Sequence, residues 1–165
     1  MTSTPLENPA LRDPAHQVSA KAPVLWAVGA GIRCLLLLAA VVVANVFWVD
    51  VPWWVYPPLV AVQIAYVVVM PRVRYRIHRW ESTDTAVYTQ TGWLSRERRI
   101  APMSRVQTVD FQQTAVDRLF GLASVTVTTA SAAGPLRISD VDKDVADRLV
   151  EDLTRRAEAE AGDAT

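Results

Sequence analysis

Two long apolar stretches occupy most of the region between Trp26 and Met70, in a chain of only 165 residues. A chain this small cannot cover two helices that are apolar on every face, so these stretches point to a bilayer rather than to a soluble core. The first runs from Trp26 to Trp48, and its charge-free part, Cys34 to Val49, is 16 residues long. At the usual helical rise that is about 24 Å, slightly short of a hydrocarbon core. Arg33 extends it, because an arginine one turn inside the boundary carries its guanidinium to the headgroups while its stem stays in hydrocarbon. The second stretch, Val51 to Met70, has no charged residue. Pro57 and Pro58 are tolerated only near a first turn, so the second helix is expected to start near Pro58.

Between the spans, Asp50, Pro52, Trp53, Trp54 and Tyr56 form a short turn whose aromatic rings suit the outer interface. That turn carries no Lys or Arg, whereas Arg72, Arg74, Arg76 and Arg79 crowd in just after the second span. The positive-inside rule then predicts a multi-pass protein of the cell membrane with both termini in the cytoplasm. Met1 to Ala22 is polar, proline-bearing and carries both acids and bases, unlike a cleaved signal peptide, and reads as a flexible cytoplasmic tail.

The net charge of zero hides a partition. Basic against acidic residues number 3 to 3 over residues 1–71, 10 to 5 over 72–137, and 4 to 9 over 138–165. The basic middle part could rest on anionic lipid, although Arg72 to Arg79 also serve simply to fix topology. The single Cys34 can form no intramolecular disulfide, and His16 and His78 have no second imidazole or thiol at ligand spacing, so no metal or cofactor is expected.

From Arg72 onward the pattern changes to period two. Val73, Tyr75 and Ile77 alternate with Arg74, Arg76 and His78, which fits either a first strand or a helix continuing past Pro71. Thr85–Thr91 and Trp93–Ile100 flank Gly92 and predict an antiparallel hairpin. On its second strand Arg96, Glu97, Arg98 and Arg99 require a wet face or an anionic partner, so Arg96, Arg98 and Arg99, with Arg105, form the candidate interaction face. A strand over Val106–Phe111, a short helical connector ending at Gly121, and strands over Val125–Thr129 and Leu136–Ile138 follow. Val141, Val145, Leu149 and Leu153 recur every four residues and predict a closing amphipathic helix, with Asp140 or Asp142 as its cap. Trp80 and Trp93 fit either the sheet core or a binding anchor.

The string Ile100-Ala-Pro-Met-Ser-Arg-Val-Gln107, then Val109 to Gln113, then Asp117-Arg-Leu-Phe-Gly-Leu-Ala-Ser-Val125, resembles the YdbS-like group of membrane-anchored bacterial pleckstrin-homology-like (PH-like) proteins. The resemblance covers about residues 24 to 155. It implies a membrane-anchored α+β fold: an N-terminal two-helix transmembrane hairpin, then a PH-like antiparallel sheet or barrel capped by a C-terminal helix. The expected division is a tail over 1–22, a hairpin over 23–76 with spans at about 24–48 and 58–76, a PH-like domain over 77–158 and a tail over 159–165. Within the motif Gly121 permits a positive φ, Leu119 and Phe120 read as apolar anchors, and Arg105 or Arg118 could pair with Asp110 or Asp117.

Fold alone does not select an activity. The first functional expectation is a non-enzymatic module that presents a cytoplasmic surface to another membrane protein or to a copy of itself. The alternative is sensing of anionic membrane lipids by Arg96, Arg98, Arg99 and Arg105. An enzyme or transporter is disfavoured, since no histidine follows His78 and no Gly-rich phosphate loop occurs. Nucleic-acid binding is disfavoured too, because no aromatics interleave the basic strand. At the interface itself, Arg33, Trp53, Trp54, Tyr56, Arg72, Arg74, Arg76 and Arg79 are the expected membrane-contacting residues.

Overall fold

A computed structural model describes residues 12–131 and 134–163, with side chains described up to residue 159. Helix α1 spans Ala22–Phe47 and helix α2 spans Tyr56–Ile77, joined through a single 3-10 turn at Trp53–Val55. Pro57 and Pro58 lie in the first turn of α2, where their missing N–H groups cost nothing. Pro71 lies inside α2 and does not end it, which settles the alternative at residues 72–77 in favour of helix. Beyond Ala30 no residue of α1 is buried, and Leu35, Leu36, Leu37, Val46 and Phe47 all face outward. Such a belt has no aqueous rationale in a small protein; hydrocarbon supplies it.

The β domain holds two antiparallel sheets. The first orders β1 (His16–Gln17), β2 (Arg79–Ser82), β3 (Ala86–Gly92) and β4 (Arg96–Pro102) as β1-β2-β3-β4. The second orders β5 (Val106–Gln112), β6 (Leu122–Thr129) and β7 (Leu136–Asp142) as β5-β6-β7. A short helix α3 (Ala115–Phe120) links β5 to β6, and α4 (Lys143–Asp163) packs across β5 and β6. Central position explains why β6 buries most of its β-branched run. The core gathers Val87, Ala101 and Met103, then Val125, Val127, Ile138 and Val141, and is closed by Ala146, Leu149 and Leu153 of α4. Their spacing on α4 gives the helix one apolar stripe toward the sheets.

Several expectations need correction. Residues 12–21 are not a free tail: His16 and Gln17 pair with Trp80 and Arg79, and Val18 is buried. The cause is the open edge of β2, whose peptide groups need partners. Arg12 pairs with Glu81, and the Ser19 N–H donates to the Asp140 carbonyl at 3.0 Å. The rest of the expected tail, residues 1–11, lies outside the described residues. At the other end, residues 159–163 continue α4 rather than forming a tail. Leu119 is 84% exposed and anchors nothing, because the six-residue α3 turns that face outward. Asp117 pairs with neither Arg105 nor Arg118; it closes a capping box, its carboxylate accepting from the Thr114 N–H at 2.9 Å while the Asp117 N–H donates to Thr114 Oγ1 at 3.1 Å. Gly121 does end α3 in the left-handed region, with φ 66°.

Candidate interaction surface

Among the described residues strand β4 pairs with β3 alone and is the outer strand of its sheet, so one row of its peptide groups lies along a sheet edge. Arg96 through Ile100 are all exposed. Because successive side chains alternate, the four arginines do not form one face. Arg98 turns toward Gln90 on the neighbouring strand, its Nε donating to Gln90 Oε1 at 2.7 Å, and it also pairs with Asp13 of the N-terminal segment. Arg99 points to the other side, donating to Glu97 at 2.6 Å and to the Pro135 carbonyl at 3.2 Å. Arg98, Arg99 and Arg105 line a cleft of about 390 Å³ with Ile100, Thr129 and Leu136. Arg96 stands apart, opposite Gly92 at the base of the β3–β4 turn. The face expected from sequence is thus an edge with a cleft behind it, partly neutralised by Asp13 and Glu97.

Of the expected interfacial residues, Trp53 and Trp54 are exposed on the hairpin turn and Tyr56 opens α2. Arg33 folds back along α1, its Nε donating to the Gly29 carbonyl at 3.1 Å. Arg72 donates to the Val68 carbonyl, and Arg76 is exposed. Arg79 belongs to the β domain instead, where it opens β2 and contacts the Pro14 carbonyl at 3.4 Å. Arg74 faces the domain: its Nε donates to His78 Nε2 at 3.2 Å, and its guanidinium carbon lies 4.2 Å over the Trp26 ring.

Those contacts belong to a junction that sequence reading missed. Ala22, Trp26 and Ala30 are buried with Met70 and Val18, so the open end of the hairpin is packed against the β domain and not surrounded by lipid. The Trp26 indole donates to the Asp140 carboxylate at 3.1 Å, and Ser19 Oγ donates to Asp142 at 2.9 Å. These bonds take up the two carboxylates expected to cap α4. Asp140 holds φ 60°, an uncommon backbone for a non-glycine residue that presents its side chain to Trp26. The signal was present in the four-residue spacing of Ala22, Trp26 and Ala30, a small-large-small stripe, but an apolar helix gives no contrast between a lipid-facing and a protein-facing side. Trp93 also packs here, edge-on to Tyr66 with ring centres 5.8 Å apart, while Trp80 packs on the main core and stacks with His16.

His78 links the two parts and is almost fully buried. Accepting from Arg74 at Nε2 leaves Nδ1 to donate to the Arg74 carbonyl at 3.0 Å, which defines a neutral ring. Burial, then the adjacent Arg74 charge, hold its pKa down at about 4 from the usual 6.5, against the opposing effect of its bond to the Arg74 backbone. Burial drives the Asp140 carboxyl the other way, above its usual value, with the Trp26 bond opposing. For His78 the unfolded chain takes up a proton below about pH 6.5, while the fold resists until about pH 4. Its contribution is therefore intact above 6.5 and lost as pH falls through that window, at most about 3 kcal/mol. A protonated Asp140 offsets part of that loss. Thermal unfolding in detergent should show wild type losing stability between pH 6.5 and 4.5 more steeply than His78→Gln; equal slopes would remove His78 as the cause.

With hairpin, sheets and junction defined, comparison with known proteins is direct. Residues 24–157 match the family described as the bacterial PH domain, and the chain belongs to that family. It is 30% identical over 151 residues to the UPF0699 transmembrane protein YdbS of Bacillus subtilis (strain 168), covering 87% of this chain and 93% of that protein. No solved structure matches. The protein is a membrane-anchored PH-like protein similar to YdbS, with two helices long and apolar enough to cross a bilayer.

Proposed function

We propose that this protein is a non-enzymatic module of the cell membrane that holds its PH-like domain on the cytoplasmic side and offers strand β4 to an extended, acidic segment of a protein partner. The observation that carries the reading is the outer position of β4 in its sheet, with side chains exposed from Arg96 to Ile100. An added strand would satisfy its outward peptide groups, and the flanking arginines would favour acidic side chains on that strand. The basic residues at the end of α2 and just beyond it, and the absence of any in the hairpin turn, support the orientation. Packing of Trp26, Arg74, His78 and Asp140 at the junction supports presentation in one fixed pose. Both histidines are held structurally, His16 on Trp80 and His78 by Arg74, which supports a non-catalytic role.

Crosslinking in native membranes followed by mass spectrometry tests this. The wild-type chain should capture a specific protein, or a second copy, through β4, and Arg96→Glu with Arg99→Glu should abolish the capture. Arg98 is left intact because its bonds to Gln90 and Asp13 support the fold. The reading fails if nothing specific is captured, or if the same crosslinks survive both reversals.

A further inference from the structure

We propose that the cleft between the open end of the helix hairpin and the β3–β4 turn binds the phosphate of an anionic phospholipid from the adjoining leaflet, with Arg33 and Arg74 as its cationic lining. The cleft has a volume of about 580 Å³ and is walled by Arg33, Tyr66, Met70, Arg74, Trp93 and Ser95. It is distinct from the β4 edge, and the residues that define it come from α1, α2 and the turn between β3 and β4.

Charge is the first argument. Two guanidinium groups from different helices face one space, and among the described residues no carboxylate lies within 4.0 Å of either. Each is fixed through its Nε, Arg33 on the Gly29 carbonyl and Arg74 on His78, and Arg74 is held further by the face of Trp26. The terminal nitrogens of both make no hydrogen bond among the described residues. Asp140, the nearest acidic influence on Arg74, already accepts from Trp26. Two pre-positioned cations, neither in direct ion-pair contact with a carboxylate among the described residues, suit an oxyanion, and the planar fork of arginine suits phosphate in particular. The Tyr66, Thr91 and Ser95 hydroxyl groups are further donors along the same wall.

Depth is the second argument, and it selects a lipid over a free anion. Tyr66 precedes Arg72 by six residues, which places it about 9 Å along the helix toward the hydrocarbon. Yet Trp93, from the water-facing domain, reaches back to pack on Tyr66. The next residue, Leu94, is 84% exposed. A Trp-Leu tip at that level is an interfacial anchor, its apolar atoms among acyl chains while the cations stand at headgroup height. Phosphate and acyl chain on one molecule would satisfy both layers together; inorganic phosphate would satisfy only one.

The test uses the delipidated full-length protein in detergent, with native mass spectrometry against phosphatidylglycerol, phosphatidylcholine and inorganic phosphate. Phosphatidylglycerol should bind at least about tenfold more tightly than phosphatidylcholine, and Arg33→Gln and Leu94→Ser should each weaken it about tenfold. Arg76→Gln, on an exposed position of the same helix end, should leave it unchanged. Arg33 and Leu94 lie outside both cores, so these variants remain folded where Arg74→Gln could fail. Equal binding of the two lipids, unchanged binding by both variants, or no bound phosphatidylglycerol would each overturn the site. Displacement of lipid by inorganic phosphate would assign the cleft to a free anion and overturn the lipid. None of these outcomes depends on whether β4 captures a protein, so the two proposals fail separately.

Discussion

Gly92→Ala is expected to cost about 3 kcal/mol and to detach the β3–β4 turn from the hairpin. Gly92 sits at φ 136°, a region that an L side chain rarely enters, and an added Cβ would lie 1.8 Å from the Ser95 carbonyl oxygen and 2.9 Å from its carbon. Those atoms are backbone and cannot swing away, so the strained φ and the overlap act together. The turn must open, and the Trp93 ring then leaves Tyr66. Gly134→Ala separates the two causes, since Gly134 also has positive φ, 79°, but nothing lies within 4 Å of its added Cβ. It should cost only about 1 kcal/mol. Thermal unfolding of the three proteins side by side reads the difference, and equal losses would show that the Ser95 contact does not constrain the turn.

Leu153→Ala should be comparably damaging, with a loss of about 2–5 kcal/mol. Leu153 is fully buried where α4 meets the sheets, among Ala146, Leu149 and the β6 and β7 valines and isoleucine. Truncation removes its buried methyl groups and leaves a cavity that a rigid sheet cannot collapse to fill. Leu119→Ala makes the sharp comparison. It changes the same side chain in a segment that resembles family sequence, yet Leu119 is 84% exposed and the expected change lies within about 0.5 kcal/mol. A reversed order would mean that α3, rather than α4, closes the core.

The contrast between those two leucines also shows what was legible in sequence. Val145, Leu149 and Leu153 repeat the apolar spacing along α4, while Val141, the first residue of the expected repeat, lies on β7; three repeats still make the buried side of α4 unambiguous. One turn of α3 cannot establish a face, and Leu119 reads as an anchor when it is not. Thr114 and Asp117 carry a capping-box spacing that would have assigned Asp117 locally, ahead of any arginine partner. Both apolar spans and the β3–β4 hairpin followed from period and from Gly92. The pairing of His16–Gln17 did not, because a two-residue strand is created by the edge it meets and has no alternation of its own. Trp26 was hidden for a different reason: lipid and protein select the same apolar residues, so its bond to Asp140, 114 positions away, leaves no local trace. For the arginines, composition revealed the charge of β4, whereas the pleat decided which neighbours each one meets.

Cysteine labelling from outside the cell tests the central claim most directly, namely that the β domain hangs in the cytoplasm from a two-helix hairpin. Cys34 is the only cysteine, so Cys34→Ser gives a silent background. Trp54→Cys then marks the exposed hairpin turn, and Arg137→Cys marks an exposed position on β7. A membrane-impermeant maleimide applied to intact cells should label the protein carrying Trp54→Cys and should reach Arg137→Cys only after lysis. Labelling of Arg137→Cys in intact cells, with Trp54→Cys protected, would place the domain outside and contradict the account.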